Sequence, residues 1–157
     1  MARLSAHELQ RTAGSKLRWA PENYNSVWTP KSDVWSVGLL LYDLIFEGQL
    51  PVVYGQQAMA EGRGHVEFDA AWQAFDIRED SLWTTAKALA RRSQDLWLVQ
   101  VLRHLGRMLS RDPAARPDVS DARAAFHRLR QLTPRPDQAH QLLREAMTQA
   151  RGVVFDM

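Results

Sequence analysis

The sequence predicts an all-α fold. Apolar residues recur at three- and four-residue spacing over several stretches, and no stretch shows sustained period-two alternation. Helix-start and helix-stop signals punctuate the chain at the right intervals. With 157 residues and 45% apolar content the chain can bury one core, so a single helical domain over 1–157 is expected.

Each element follows from local signals. Ser5-Ala6-His7-Glu8 fits a capping box with Gly14 as a stop, which predicts a short helix over about 6–12. Pro21, Asn23, Asn25 and Pro30 make 14–30 an ordered loop with about one helical turn. A long helix is expected from Ser32-Asp33 to Glu47-Gly48. Pro51, Gly55, Gly62 and Gly64 then mark a loop over 49–64, with room for a short helix at 56–61. Amphipathic stretches follow at 70–75 and 82–91. Leu98, Val101, Leu102, Leu105, Met108 and Leu109 define a strongly periodic helix that stops at Asp112-Pro113. Asp118 or Ser120 opens the next, with Val119, Ala122, Phe126 and Leu129 expected on its inner face. Thr133-Pro134-Arg135-Pro136 is a rigid break. A last helix over about 137–151 aligns Ala139, Leu142, Leu143, Ala146, Met147 and Ala150 on one face.

Composition excludes several classes. The absence of cysteine removes disulfide scaffolds, thiolate metal sites and a cysteine nucleophile. Twenty basic groups against eighteen acidic ones give a net charge of +2, with arginines interspersed among acids, so neither nucleic acid nor a membrane surface is an expected partner. The first residues hold no apolar signal core, and the longest apolar run, Val34–Phe46, is too short to cross a bilayer. A cytoplasmic protein is expected.

One helix is unusual. Val34, Trp35, Val37, Leu39, Leu40, Leu41, Tyr42, Leu44, Ile45 and Phe46 occupy nearly its whole circumference. Covering each such side chain is worth roughly 1.5–3 kcal/mol, so the sequence predicts burial on all sides, by other helices or by a partner. Gly38 costs about 1 kcal/mol of helix propensity, and its expected use is close approach of another backbone.

Three motifs in order carry a family resemblance. Gly14-Ser15-Lys16-Leu17-Arg18-Trp19-Ala20-Pro21-Glu22 resembles the end of a protein-kinase activation segment, with Ala-Pro-Glu intact. Ser32-Asp33-Val34-Trp35-Ser36-Val37-Gly38 is similar to the start of the central helix of the kinase C-lobe. Asp112-Pro113-Ala114-Ala115-Arg116-Pro117 resembles the turn before the last conserved kinase helix. The resemblance covers about 14–132, the second half of a C-lobe, and leaves the helix at 137–151 as an addition. It implies a partial kinase-like C-lobe around a central helix at about 33–47. It also implies that Glu22 pairs with Arg116, that Asp33 supports a catalytic loop, and that Trp35 packs beneath the activation segment. Ser15, Lys16, Leu17, Arg18 and Trp19 would be the remnant of a substrate-positioning segment. The stretch between Glu22 and Arg116 is longer than in a compact kinase, with the surplus in 52–95.

The chemistry-bearing kinase motifs do not occur. There is no glycine-rich nucleotide loop, no lysine on a strand, no His-Arg-Asp loop with its downstream Asn and no Asp-Phe-Gly. Gly62-Arg63-Gly64 lacks the third glycine, and Lys16, Lys31 and Lys87 sit in the wrong contexts. No catalytic, cofactor-binding or metal-binding residue is therefore assigned. ATP and Mg²⁺ would enter only if the other half of a kinase were supplied.

Other groups have plainer explanations. His7, His65, His104, His127 and His140 show no metal-ligand spacing. Asp118 with Asp121 and Glu79 with Asp80 read as solvated helix ends. Arg91-Arg92 and Arg128 with Arg130 read as solvated faces, with phosphate binding the minor alternative. Trp35 and Trp97 are expected in the core, while Trp28, Trp72 and Trp83 are open between core and binding surface. Ser5, Thr12 and Ser15 are candidates for phosphorylation.

Two functions are compatible with these observations. In the first, the chain is a non-catalytic, pseudokinase-like C-lobe that works through protein–protein contact, either with a protein partner or as a homo-oligomer covering the central helix. An N-terminal helix and the helix at 137–151 could instead cover it from within. In the second, the chain is the C-terminal portion of a Ser/Thr-type protein kinase whose nucleotide lobe and catalytic loop lie elsewhere. An unrelated helical adaptor is a third possibility.

Overall fold

The structure, a computed structural model, describes residues 19–47, 73–132 and 134–151. Among them are five α-helices and no strand, so the all-α expectation holds. The helices are α1 (Pro30–Ile45), α2 (Ser81–Arg92), α3 (Leu96–Met108), α4 (Val119–Leu129) and α5 (Pro136–Arg151). Single 3₁₀ turns at Pro21–Asn25, Ile77–Glu79 and Pro113–Ala115 precede α1, α2 and α4. The expected helices at 6–12 and 56–61, the loop at 49–64 and residues 70–72 lie outside the described residues.

Aspartates set the starts of three helices. The side chains of Asp80, Asp95 and Asp118 accept from the backbone N–H of Trp83, Leu98 and Asp121, capping α2, α3 and α4. α1 begins two residues before the expected Ser32, because Pro30 occupies its first turn with φ already suited to helix. It ends at Ile45, and Glu47 just beyond adopts φ 54°, which turns the chain away.

A continuous core joins α1, α2, α3 and α5. Trp35 and Tyr42 of α1, with Phe46 at its C-terminal cap, meet Leu82, Ala86 and Ala90 of α2, Leu98, Leu102 and Leu105 of α3, and Ala146 and Met147 of α5. α3 packs against α1, α2 and α4, and α5 lies chiefly along α2. Two glycines allow close contact. A Cβ on Gly38 would stand 2.9 Å from Leu109 Cδ2, and one on Gly106 would stand 2.6 Å from Trp83 Cζ2. What approaches Gly38 is not another backbone, as expected, but the side chains of Leu109 and Met108 at the end of α3.

Burial departs from the sequence pattern in two places. Among the described residues the chain's own helices do not enclose the central helix, which leaves the expected cover by a partner open: Val37, Leu40 and Leu44 are 48%, 45% and 72% exposed. They follow one another at three- and four-residue spacing, so they form one stripe. α3, α4 and the Pro113–Ala115 turn cover other sides of α1, and α5 is engaged with α2. The inner face of α4 is also narrower than its sequence suggests, since Ala122 is buried while Val119 and Phe126 are exposed. With few helices around it, α4 meets the bundle along one narrow strip.

Candidate functional site

Glu22 and Arg116 do meet, although most of the chain separates them. Pro21–Asn25 forms its 3₁₀ turn because Asn23, itself buried, ties both flanks: its Oδ1 accepts from Ala20 N–H at 2.8 Å and its Nδ2 donates to Val27 O at 2.9 Å. Ser26 completes the turn with φ 61°. Arg116 is fixed from the other side by the turn that Asp112 caps through Ala114 N–H.

The contact is bidentate. Arg116 Nη1 donates to Glu22 Oε1 at 2.6 Å and Nη2 to Oε2 at 3.0 Å. The remaining N–H groups of the guanidinium donate to carbonyl oxygens: Nε to Ser110 at 2.7 Å, Nη1 to Lys31 at 3.0 Å and Nη2 to Arg111 at 3.4 Å. All the donors of the fork are thus engaged. Its side chain has no exposure, and the guanidinium carbon stands 5.0 Å from the centre of the Trp35 ring. Burying a charge this deeply is tolerable only with full pairing of this kind.

The carboxylate is held as firmly. Ser32 Oγ donates to Glu22 Oε1 at 2.9 Å, while Lys31 Nζ donates to Arg116 O at 2.6 Å. Burial alone would raise the Glu22 carboxyl, but the hydrogen bonds from Arg116 and Ser32 and the nearby positive charge hold it below its ordinary value. The cluster therefore clamps three segments: the turn at 21–25, the first turn of α1 and the loop after α3.

The other site residues are placed as follows. Trp35 is fully buried and stacks edge-on with Phe75 at 6.0 Å. Trp19 is buried at 4% exposure, against Tyr24 and Trp28 at 5.2 Å each. Asp33 is exposed on the first turn of α1, and its carboxylate makes no hydrogen bond among the described residues. Ser15, Lys16, Leu17 and Arg18 lie outside the described residues, as does Trp72. Trp83 is a core residue whose indole N–H donates to Leu102 O at 2.8 Å, Trp97 is partly buried, and Trp28 is 39% exposed.

Sequence reasoning missed one polar contact of the core. Asp80 is not a solvated helix end: it is 4% exposed, and its Oδ2 accepts from the Tyr42 hydroxyl at 2.7 Å as well as from Trp83 N–H. The available signal was an aspartate at a helix start, together with a helix apolar on nearly every side that carries one tyrosine. Asp118, by contrast, is exposed as expected, and the bonds from the Asp121 backbone and Ser120 hold its carboxyl below the ordinary range. No group of three His, Cys, Asp or Glu suited to a metal occurs among the described residues. Chemically, the clamp positions a segment and carries no nucleophile.

No protein-family model matches the chain, and neither does any curated protein or any solved structure.

Proposed function

We propose that this chain is a non-catalytic, kinase-like C-lobe fragment acting in the cytoplasm as a protein-interaction module. The observation that carries the interaction half of this reading is the stripe of Val37, Leu40 and Leu44 left exposed on the most apolar helix. Apolar surface at the centre of a protein contact is the usual source of its affinity. The kinase-like half is supported by three motifs in the expected order and by the pairing of Glu22 with Arg116. No helix among the described residues is long and apolar enough to cross a membrane.

The same stripe suits the second reading, in which a separate chain supplies the nucleotide lobe and catalytic loop and packs there. The two readings part on nucleotide. Under the non-catalytic reading Mg-ATP leaves the melting temperature of the isolated chain unchanged, and a large upward shift would overturn it.

The interaction itself is tested by light scattering and by capture of binding proteins, with Leu40→Glu/Leu44→Glu beside the parent chain. Association that the double variant abolishes, at an unchanged melting temperature, is the expected result. A parent chain that stays monomeric and captures nothing the variant loses would end the proposal.

A further inference from the structure

The arginines are not evenly dispersed, contrary to what the whole-chain charge balance suggests. Between Leu96 and Pro136 eight arginines stand against three aspartates. Arg116 is consumed by Glu22, and Arg111 Nη1 donates to the carbonyls of Gln73 and Phe75. Arg103 and Arg107 on α3 and Arg128 on α4 form no ion pair among the described residues. They stand around one half-open recess of about 560 Å³ between those helices.

The lining of the recess is selective. Beside the three guanidinium groups it holds Ala125, Leu129 and Leu132 and no carboxylate. Below them lies His104, only 6% exposed, with its Nε2 buried and without a hydrogen-bond partner. The Phe126 ring fixes the imidazole edge-on at 4.8 Å. The imidazole belongs to the lining of the recess, and that nitrogen has no partner among the described residues.

We propose that the recess between α3 and α4 binds a small organic phosphate, with Arg103, Arg107 and Arg128 on the phosphoryl oxygens and Leu129 and Leu132 against its carbon skeleton. Guanidinium forks match phosphoryl oxygens in geometry, and three of them without a neutralising acid favour a dianion over a single carboxylate. The volume is in the range of small-ligand sites and exceeds what a bare phosphate ion needs. This inference does not depend on the kinase-like reading.

The test uses phenyl phosphate as probe, with phenol and inorganic phosphate as controls, by calorimetry and by NMR of the histidine ring protons. Arg103, Arg107 and Arg128 are exposed, so variants at these positions are expected to fold; their melting temperature without ligand checks this. Saturable binding of phenyl phosphate, tighter than either control, is expected. Arg107→Gln and Arg128→Gln should each weaken it about tenfold or more. Burial, with the charges of Arg107 and Arg128, holds the His104 pKa below its ordinary value, so a bound dianion should raise it. No binding, binding unchanged in the variants, or an equal response from a short oligonucleotide per phosphate would each overturn the proposal. The last outcome would mean a diffuse basic field in place of a site.

Discussion

Arg116 is the side chain on which the local architecture most depends. Arg116→Ala strands the Glu22 carboxylate and several backbone carbonyls, and breaking a buried pair of this kind typically costs about 3–5 kcal/mol. Urea unfolding should show that loss, and Arg116→Lys should recover only part of it, because an ammonium cannot reproduce the two-point contact. Gly106 makes a second case. Ala is the better helix former by about 1 kcal/mol, but its Cβ would collide with an indole fixed by its own hydrogen bond. Overpacking of about 1–3 kcal/mol should win, so Gly106→Ala is expected to lower the melting temperature. Pairing of Glu22 with Arg116 was legible because the resemblance to a kinase C-lobe implied it. The Tyr42–Asp80 bond was not, since nothing in a one-dimensional pattern tells which helix start a given tyrosine reaches.

Among the helices, α5 gives the sharpest contrast between legibility and surprise. Its limits and its apolar face could be read from periodicity, and Ala139, Leu142, Ala146 and Met147 are all buried. Its partner could not, because an apolar face does not name what it packs on. The structure seats it along α2. Leu143→Glu/Met147→Glu should therefore destabilise the fold strongly, the charge at the fully buried Met147 being the main cause, as read by thermal melting. Leu44→Glu on α1 should leave melting nearly unchanged, because that side chain is already 72% exposed. How α1 is covered was illegible for a related reason. Its nearly all-round apolar character could be read, but whether helices of the same chain or a partner cover it depends on the neighbours, which the sequence of one helix does not count.

At the scale of the whole molecule, two groups of titrating side chains among the described residues contribute to the response to acid. His104 has its folded pKa lowered by burial and by Arg107 and Arg128, so the unfolded chain binds its proton more readily. Stability should begin to fall as pH drops below about 6.5, the ordinary histidine value, and His104→Leu should flatten that segment of the curve. Glu22 has its folded pKa lowered as well, so its contribution is complete above about 4.5 and is lost as pH falls through the folded value. Asp76 and Asp118, also lowered, add to this second loss, and Glu22→Gln should remove its own share. Stability against pH, measured by chemical denaturation, checks both segments. The concentration of arginine that surrounds His104 was in plain view in the sequence, yet averaging charge over the full chain concealed it.

The joining of Glu22 to Arg116 also bears on the order of folding. The two residues are 94 positions apart, so their encounter must await collapse of nearly everything between them. A contact of that range is expected to form after the rate-limiting step. Weakening it through Glu22→Gln should leave the refolding rate close to that of the parent and accelerate unfolding, as stopped-flow chevrons would show. The ion pair would then serve as a latch on the finished structure, governing how long the native state persists more than how fast it is reached.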